Sequence, residues 1–518
     1  MTSYTSYAST MAERKLSINA FTGVDQSKGE HSADIGSSPD AVNFIARFGD
    51  LRTANGVTQY GIAAPVSIYE SANGRLYQGF FRDATTHEEF TKIILALHGR
   101  IYVSDPGCEE WTAIGAGFTT NDWYAVNYKH ETTDWIIFTN GIDTAQYWDG
   151  VSAALMPLHM IQGRITQEQP DGTITIINAG EEINFNQITL LHERLWGGVS
   201  STYPDRIYWS NTFDPEDWNL DYEDSEYTGG GFVDVATFDG SRIRAIINAM
   251  DDVLIFKDKS LHRLSGTYPG EFQLTQVYGT EGTLAPRTIV SDGSSVYFLA
   301  SDGLVRYNGM QAAPLTWNGD RKLKDTWSRI NDSNIDTACA CLVDNVIYMA
   351  IPLDGSIINN CVIEYHLLDG TYNILGIEGL DDWLVFRQGQ DETILFLRED
   401  KIYRYDSGLT FFGQPINAVW TSPWIDCGSQ TSRKSTGRIY MTISANSIDL
   451  TQLPKIKLST INEKKTRTKI INLKNGLNII RKRVKVRGRM FRFRIENVDG
   501  NPLTIHRGIE IHIEEDFD

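Results

Sequence analysis

Short apolar runs separated by polar turns recur along this chain in one repeated arrangement. An apolar strand meets a turn of Asp, Ser, Glu or Gly and returns as a strand that ends in an aromatic residue and a glycine. Val253–Phe256 turns at Asp258–Ser260 and returns as Leu261–Gly266. Val296–Leu299 turns at Ser301–Gly303 and returns as Leu304–Gly309, and Ile394–Leu397 turns at Glu399–Asp400 and returns as Lys401–Gly408. Looser copies open at Ile93, Trp135, Leu195 and Val346. A strand hairpin repeated at a spacing of about 40 to 50 residues is the signature of a β-propeller. The seven leading residues give about seven blades, with six or eight also compatible with the spacing. The wider steps from 135 to 195 and from 195 to 253 read as insertions.

The expected fold class is therefore all-β: a propeller over residues 63–413, an inserted strand-rich hairpin at 160–187 on its rim, and a C-terminal β-sandwich over 414–518. The insertion is read from Thr173–Ile177, a turn at Asn178–Gly180 and Ile183–Phe185. The sandwich follows from alternating segments after Phe412, among them Arg438–Ser444, Lys455–Leu458, Met490–Glu496 and Gly508–Ile513. Residues 1–62 are not blade-like and are expected to dock on the body as an extended segment, with Asp40 capping a short helical turn at Ala41–Phe44. Leu323–Ile330 is the one other helical candidate.

Composition narrows the class. With 41% hydrophobic and 11% aromatic residues the chain has ample material for a core. No apolar run approaches the roughly 20 residues of a membrane helix, and no secretory signal is expected at the N-terminus. The five cysteines (108, 339, 341, 361 and 427) are scattered and odd in number, which predicts reduced thiols and synthesis in a cytoplasm.

The net charge of −19 is unevenly divided. Residues 431–518 hold 19 Lys and Arg against 9 Asp and Glu, whereas residues 1–430 hold 28 against 57. Two bodies of opposite sign predict different neighbours. The strongest cationic run gives a candidate inter-subunit basic face of Arg481, Lys482, Arg483, Lys485, Arg487, Arg489, Arg492 and Arg494. Val484, Val486 and Met490 share one side of a strand, then Phe491, Phe493 and Ile495 take over in the opposite phase. That slip predicts a bulge or corner near Gly488. The run reads as the polar face of a sandwich strand, or as cations that dock on an acidic neighbour such as another copy's propeller. Nucleic-acid binding is a third reading, weakened because no aromatics interleave on the charged side.

Catalytic motifs are absent: there is no His-Glu-x-x-His, no Gly-x-Ser-x-Gly and no phosphate-cradling glycine loop. Asp221–Glu226 has acids enough for calcium but lacks the spacing of a calcium loop, so it reads as a solvated acidic loop. No catalytic, cofactor-binding or metal-ligating residue is expected.

Three further sets of residues carry a resemblance. One is Phe21-Thr-Gly-Val-Asp25 with Ser38-Pro-Asp-Ala-Val-Asn-Phe44 and Gly49-Asp-Leu-Arg52. The second is Leu195-Trp-Gly-Gly198 with Asp205-Arg-Ile-Tyr-Trp-Ser210 and Asp214-Pro-Glu-Asp-Trp218. The third joins Gly282-Thr-Leu-Ala-Pro286 and Gly303-Leu-Val-Arg306 to Trp420–Gly428 and Lys485–Phe493. In this order they resemble the β-propeller tail proteins of bacteriophages, notably the tail nozzle or hub of short-tailed phages. The resemblance implies a virion protein without catalytic residues, forming a ring of six copies below a head-tail adaptor. It further implies DNA passing along the ring axis without sequence-specific binding, and tail fibres or spikes attached at the side. The rim loops Gln162–Asn186 would suit a gate. Two other classes stay open: a monomeric propeller that binds a glycan or receptor in a pocket at the channel mouth, and a glycan-processing enzyme with two carboxylates about 5 to 10 Å apart.

Overall fold

Each repeated hairpin forms the second and third strands of a four-stranded antiparallel meander. The computed structural model describes residues 12–27, 33–65, 74–83, 85–169, 174–219, 229–238, 240–278, 282–301, 303–315, 322–448 and 453–516. Seven such sheets follow one another at 75–116, 124–157, 187–234, 243–276, 290–314, 339–375 and 382–404. Ile93, Trp135, Leu195, Val253, Val296, Val346 and Ile394 all lie on second strands. Those strands are sealed on both faces, and Ile93–Leu97 and Val296–Ala300 are buried throughout, so they read as unbroken apolar runs. First strands carry more polar side chains and fourth strands are short or exposed, as in Tyr124–His130 and Gln273–Gln276, which hides them from the same pattern.

Most consecutive sheets pack through their first strands, the fourth and fifth meet through second strands, and the seventh packs against the first. Phe256 of the fourth sheet meets Phe298 of the fifth edge-on at 5.0 Å. Leu395 and Leu397 of the seventh share one apolar cluster with Leu76, Leu95 and Leu97 of the first. The seventh sheet takes its fourth strand from far upstream: Thr58–Gln59 pairs with Tyr403–Arg404. Side-chain amides stitch neighbouring first strands together. Gln78 donates to the Arg387 carbonyl at 2.6 Å and accepts from the Arg387 N–H at 2.9 Å. Gln187 does the same with the Arg244 carbonyl and the Ile246 N–H, both at 2.9 Å. Each amide thus replaces the ladder bonds that two splayed strands cannot make with each other.

Apart from three two-stranded pairs, the remaining strands form two further sheets among the described residues. The larger runs in the order Ala12–Ile18, Ile509–Asp516, Arg433–Ala445, Leu503–Ile505, Asp50–Thr53, Phe44–Arg47, with Gly476–Arg483 on the other side of Arg433–Ala445. The smaller is Ala418–Thr421, Phe491–Asn497, Lys455–Asn462, Thr466–Asn472. Ile439, Met441, Ile443, Leu458, Phe493 and Ile511 pack between them, and the same cluster continues into Leu299, Ile347, Met349 and Ile363 of the fifth and sixth sheets.

The N-terminal segment is therefore more than an extended strap, since three of its strands belong to the larger C-terminal sheet and a fourth closes the seventh sheet. The helical turn expected at Ala41–Phe44 is absent. Val42 bridges Val419 instead, and Phe44–Arg47 is a strand. The Asn43 side chain accepts from the Gly376 N–H and donates to the Asn417 carbonyl, and the backbone turns there through the left-handed region, with φ at 60°. Lys324–Trp327 is α-helical, within the second predicted segment. In the insertion, Ile161–Gln162 pairs with Glu181–Glu182 and Ile165–Glu168 with Ile174–Asn178.

Phe256 is fully buried between two sheets. Phe256→Ala should lower the stability measured by urea unfolding by about 3 to 5 kcal/mol.

Candidate functional site

Gly282-Thr-Leu-Ala-Pro286 is a built approach to one arginine. A side chain at Gly282 would collide with the Lys257 carbonyl. Thr283 Oγ1 donates to the Leu299 carbonyl at 2.7 Å and accepts from the Ala285 N–H at 3.0 Å. Pro286 then opens a single turn, Pro286–Thr288, that aims Arg287 at the middle of the cycle. There Arg287 Nη2 donates to Asp122 Oδ1 at 2.8 Å and to the Trp123 carbonyl at 3.0 Å. Its Nη1 lies 3.9 Å from Asp382 Oδ2, and its guanidinium stands 4.5 Å over the Tyr124 ring. Arg75 joins Asp122 from the first sheet at 3.0 Å, and Asp382 also accepts the Leu76 N–H at 3.0 Å. Residues from the first, second, fourth-to-fifth and seventh segments of the cycle thus converge on one arginine.

The electrostatics follow from this packing. Burial opposes ionisation of Asp122, but Arg287 and Arg75 outweigh it and hold its pKa down to about 2. The Asp381 carboxyl, beside Asp382 in sequence, is pushed up to about 7 by burial, against the pull of the Glu399 N–H and Arg75. Burial also raises the thiols of Cys108 and Cys361 to about 12. Cys108, Cys339, Cys341 and Cys361 are free and buried.

The two ends of the cycle differ in charge. Turns between first and second strands, and between third and fourth, lie at one end. None contains Lys or Arg, and all but Gly389-Gln390 and Asn308–Gln311 contain Asp or Glu. The other end mixes signs, with Arg242, Lys259, Arg287, Lys322, Lys324 and Arg329 among its connections. Asp221–Glu226 lies outside the described residues.

The basic run does not form one face. Arg481, Lys482 and Arg483 are exposed on Gly476–Arg483, an edge of the larger sheet. Arg483 and Lys485 approach Glu514 at 3.8 and 3.6 Å. Between Gly488 and Phe491 the chain crosses to the smaller sheet, which is where the apolar phase changes. Arg487 and Arg489 stand at that corner, while Arg492 and Arg494 are half-buried on a central strand, over Trp424 at 4.9 Å and beside Glu496 at 3.5 Å. Fully buried Lys434 pins the corner by donating to the carbonyls of Ser429, Ser432 and Arg489. The single-face expectation fails because a strand that changes sheets turns its polar side to a different direction.

A cavity of about 490 Å³ lies between the inserted hairpin and the third sheet, with Gln162, Glu181, Asn184, Tyr203, Arg206 and Phe232 in its walls. Arg206 sits between Tyr203 and Phe232, at 4.2 and 3.7 Å from their rings, and pairs with both Asp234 oxygens at 2.7 and 3.1 Å. Sequence reasoning passed over this site and over the Arg287 cluster. The signal for the latter was the Gly282–Pro286 motif that immediately precedes it.

No family model and no curated protein matches the chain. Among solved structures it is similar to the extracellular domain of a "putative hybrid two component system" from B. thetaiotaomicron, at 10% identity and a TM-score of 0.43. That match covers 88% of this chain and 63% of the other, so the chain spans less than two thirds of that domain's length. It is also similar to the AfRom2 CNH domain, at 10% identity and a TM-score of 0.37, covering 68% of this chain and 99% of that one. Among the described residues, no helix is long and apolar enough to cross a membrane.

Two acid-range effects of opposite sign should be measurable. Asp122 stays ionised in the folded chain down to about pH 2, so the stability it contributes is present above about pH 4 and is lost as pH falls below that. Arg287→Met should weaken this acid dependence and cost about 1 to 3 kcal/mol, because the guanidinium is buried while Asp122 keeps about half of its side chain in solvent. Asp381 behaves inversely. The folded state keeps its proton to about pH 7 whereas the unfolded chain releases it near pH 4, so stability declines across that window. Asp381→Asn should flatten the decline between pH 4 and 7 in urea titrations.

Proposed function

We propose that the seven sheets are the blades of a β-propeller, and that the chain is a structural virion protein forming the distal tail tube or nozzle ring of a short-tailed bacteriophage. Six copies would surround an axis that conducts DNA, with a head-tail adaptor above and fibres or spikes at the side. The observation that carries this reading is the opposition of charge within one chain. Turns at one end that carry Asp and Glu and no Lys or Arg, and a cationic C-terminal sheet edge, are complementary surfaces, and a ring needs two unlike surfaces on every copy. Acidic walls suit a conduit, because each Lys or Arg on a phosphate adds to a salt-dependent grip that would slow DNA. The resembling motifs also work as structure: Phe21 packs edge-on against Trp420 at 5.2 Å, and Asp214–Trp218 is a tight turn with its Trp fully buried.

A glycosidase needs one carboxyl that holds a proton for the leaving group, and Asp122 is kept ionised by two arginines. The cavity beside Arg206 supports a second reading, a monomeric module binding a glycan or receptor there.

Electron microscopy of the purified chain, with mass by light scattering, separates the two. Rings with an axial hole wide enough for duplex DNA, and a mass near six times 58.3 kDa, are expected. Compact monomers at every concentration would remove the ring reading and leave the binding module.

A further inference from the structure

Gly476–Arg483 is an edge strand whose outer side pairs with nothing among the described residues. Such an edge is a template for adding another chain, and proteins commonly guard it with cations. This one is guarded unevenly. Arg481, Lys482 and Arg483 occupy its last residues, while Leu477 and Ile479 stand 66% and 83% exposed on the same outward side as Arg481 and Arg483. Neighbouring Thr466–Asn472, the edge of the smaller sheet, adds Arg467 and Lys469, and its Ile470 is 67% exposed. Large apolar side chains beside clustered cations mark a surface built to be covered.

The matching surface is on the same chain but out of its own reach. The C-terminal sheets are fused to the fifth and sixth sheets, so in a cycle of seven the second sheet and its neighbours lie farthest away. Their turns carry exposed Glu131, Glu193 and Glu216, with Val151 and Phe213 exposed at 75% and 65% beside them. We infer that the Gly476–Arg483 edge of one copy docks on the acidic turns of the second and third sheets of the next, apolar against apolar and cation against carboxylate. The contact is heterologous, since each copy offers its edge to one neighbour and its turns to the other, and contacts of that kind close rings. A nucleic-acid backbone fits this edge less well, because phosphates would leave Leu477 and Ile479 uncovered and the strand offers no aromatic for bases.

This inference rests on the ring reading and specifies its contact. The test uses the full chain with reversed charges: Arg481→Glu with Arg483→Glu on the edge, and Glu131→Lys, Glu193→Lys and Glu216→Lys on the turns. Sedimentation at low salt should show each set weakening assembly by about tenfold or more, as expected for like charges brought together. The chain carrying both sets should assemble again, which a misfolded variant could not do. If the wild type assembles and both reversed chains assemble equally well, the docking contact is wrong while the ring stands. If each set breaks assembly and their combination does not restore it, the pairing of these two surfaces is wrong. If the edge variant keeps its assembly but loses affinity for a fluorescent 20-base-pair duplex, the edge is a nucleic-acid surface and the inference falls. A wild type that never assembles overturns both this contact and the ring, and the microscopy above reports that case separately.

Discussion

A cycle of sheets has to be held shut, and here one guanidinium does much of that work at the centre. Seven first strands converge, each with a backbone edge that its neighbour is too far rotated to pair. The chain meets this demand at two levels. Along the strands, Gln78 and Gln187 stand in for missing ladder bonds. At the end where the strands begin, Arg287 crosses to Asp122 and approaches Asp382, with Arg75 completing the charge balance. Burying such a set is favourable only when every charge finds partners, and a lone replacement leaves the others uncompensated. The centre is therefore committed to structure, and interaction falls to the perimeter.

The perimeter divides by chain topology. In an antiparallel meander the first and third turns necessarily share one end, so a preference for Asp and Glu in those turns is summed into a single acidic surface. The C-terminal sheets have the opposite composition and attach on one flank. The acidic turns and the cationic C-terminal strands are thus set apart, although Arg483 and Lys485 are partly balanced by Glu514 of their own sheet. Salt screens such surfaces over about 10 Å at 0.1 M, so any contact they make depends on ionic strength.

The second and third strands of every sheet were legible because burial on both faces demands continuous apolar residues. First strands were not, since their side chains at the centre are polar for reasons of closure that a single sheet's sequence does not reveal. The N-terminal strands were missed as sheet members because Ala12–Ile18, Asp50–Thr53 and Thr58–Gln59 find partners more than 300 residues away, and alternation alone cannot name a partner. Asp40 read as a helix cap on local grounds, yet Val42 and Asn43 are claimed by Val419 and Gly376. The basic run was correctly seen to change phase, but the change of sheet that causes it splits its cations between two surfaces. Arg287 left only an indirect trace, in the close-packed glycine and proline that aim it.

The strand Thr58–Gln59 waits for Tyr403–Arg404, and Ala12–Ile18 waits for Ile509–Asp516. Neither can be satisfied while the ribosome is still reading the middle of the message. Each body thus waits for a partner strand hundreds of residues downstream, and contacts at such separation are slow to form. A nascent chain carries open edges for most of its synthesis and calls for protection by chaperones. The same dependence has a second effect: a polypeptide that stops before Tyr403 lacks the pieces to close either body.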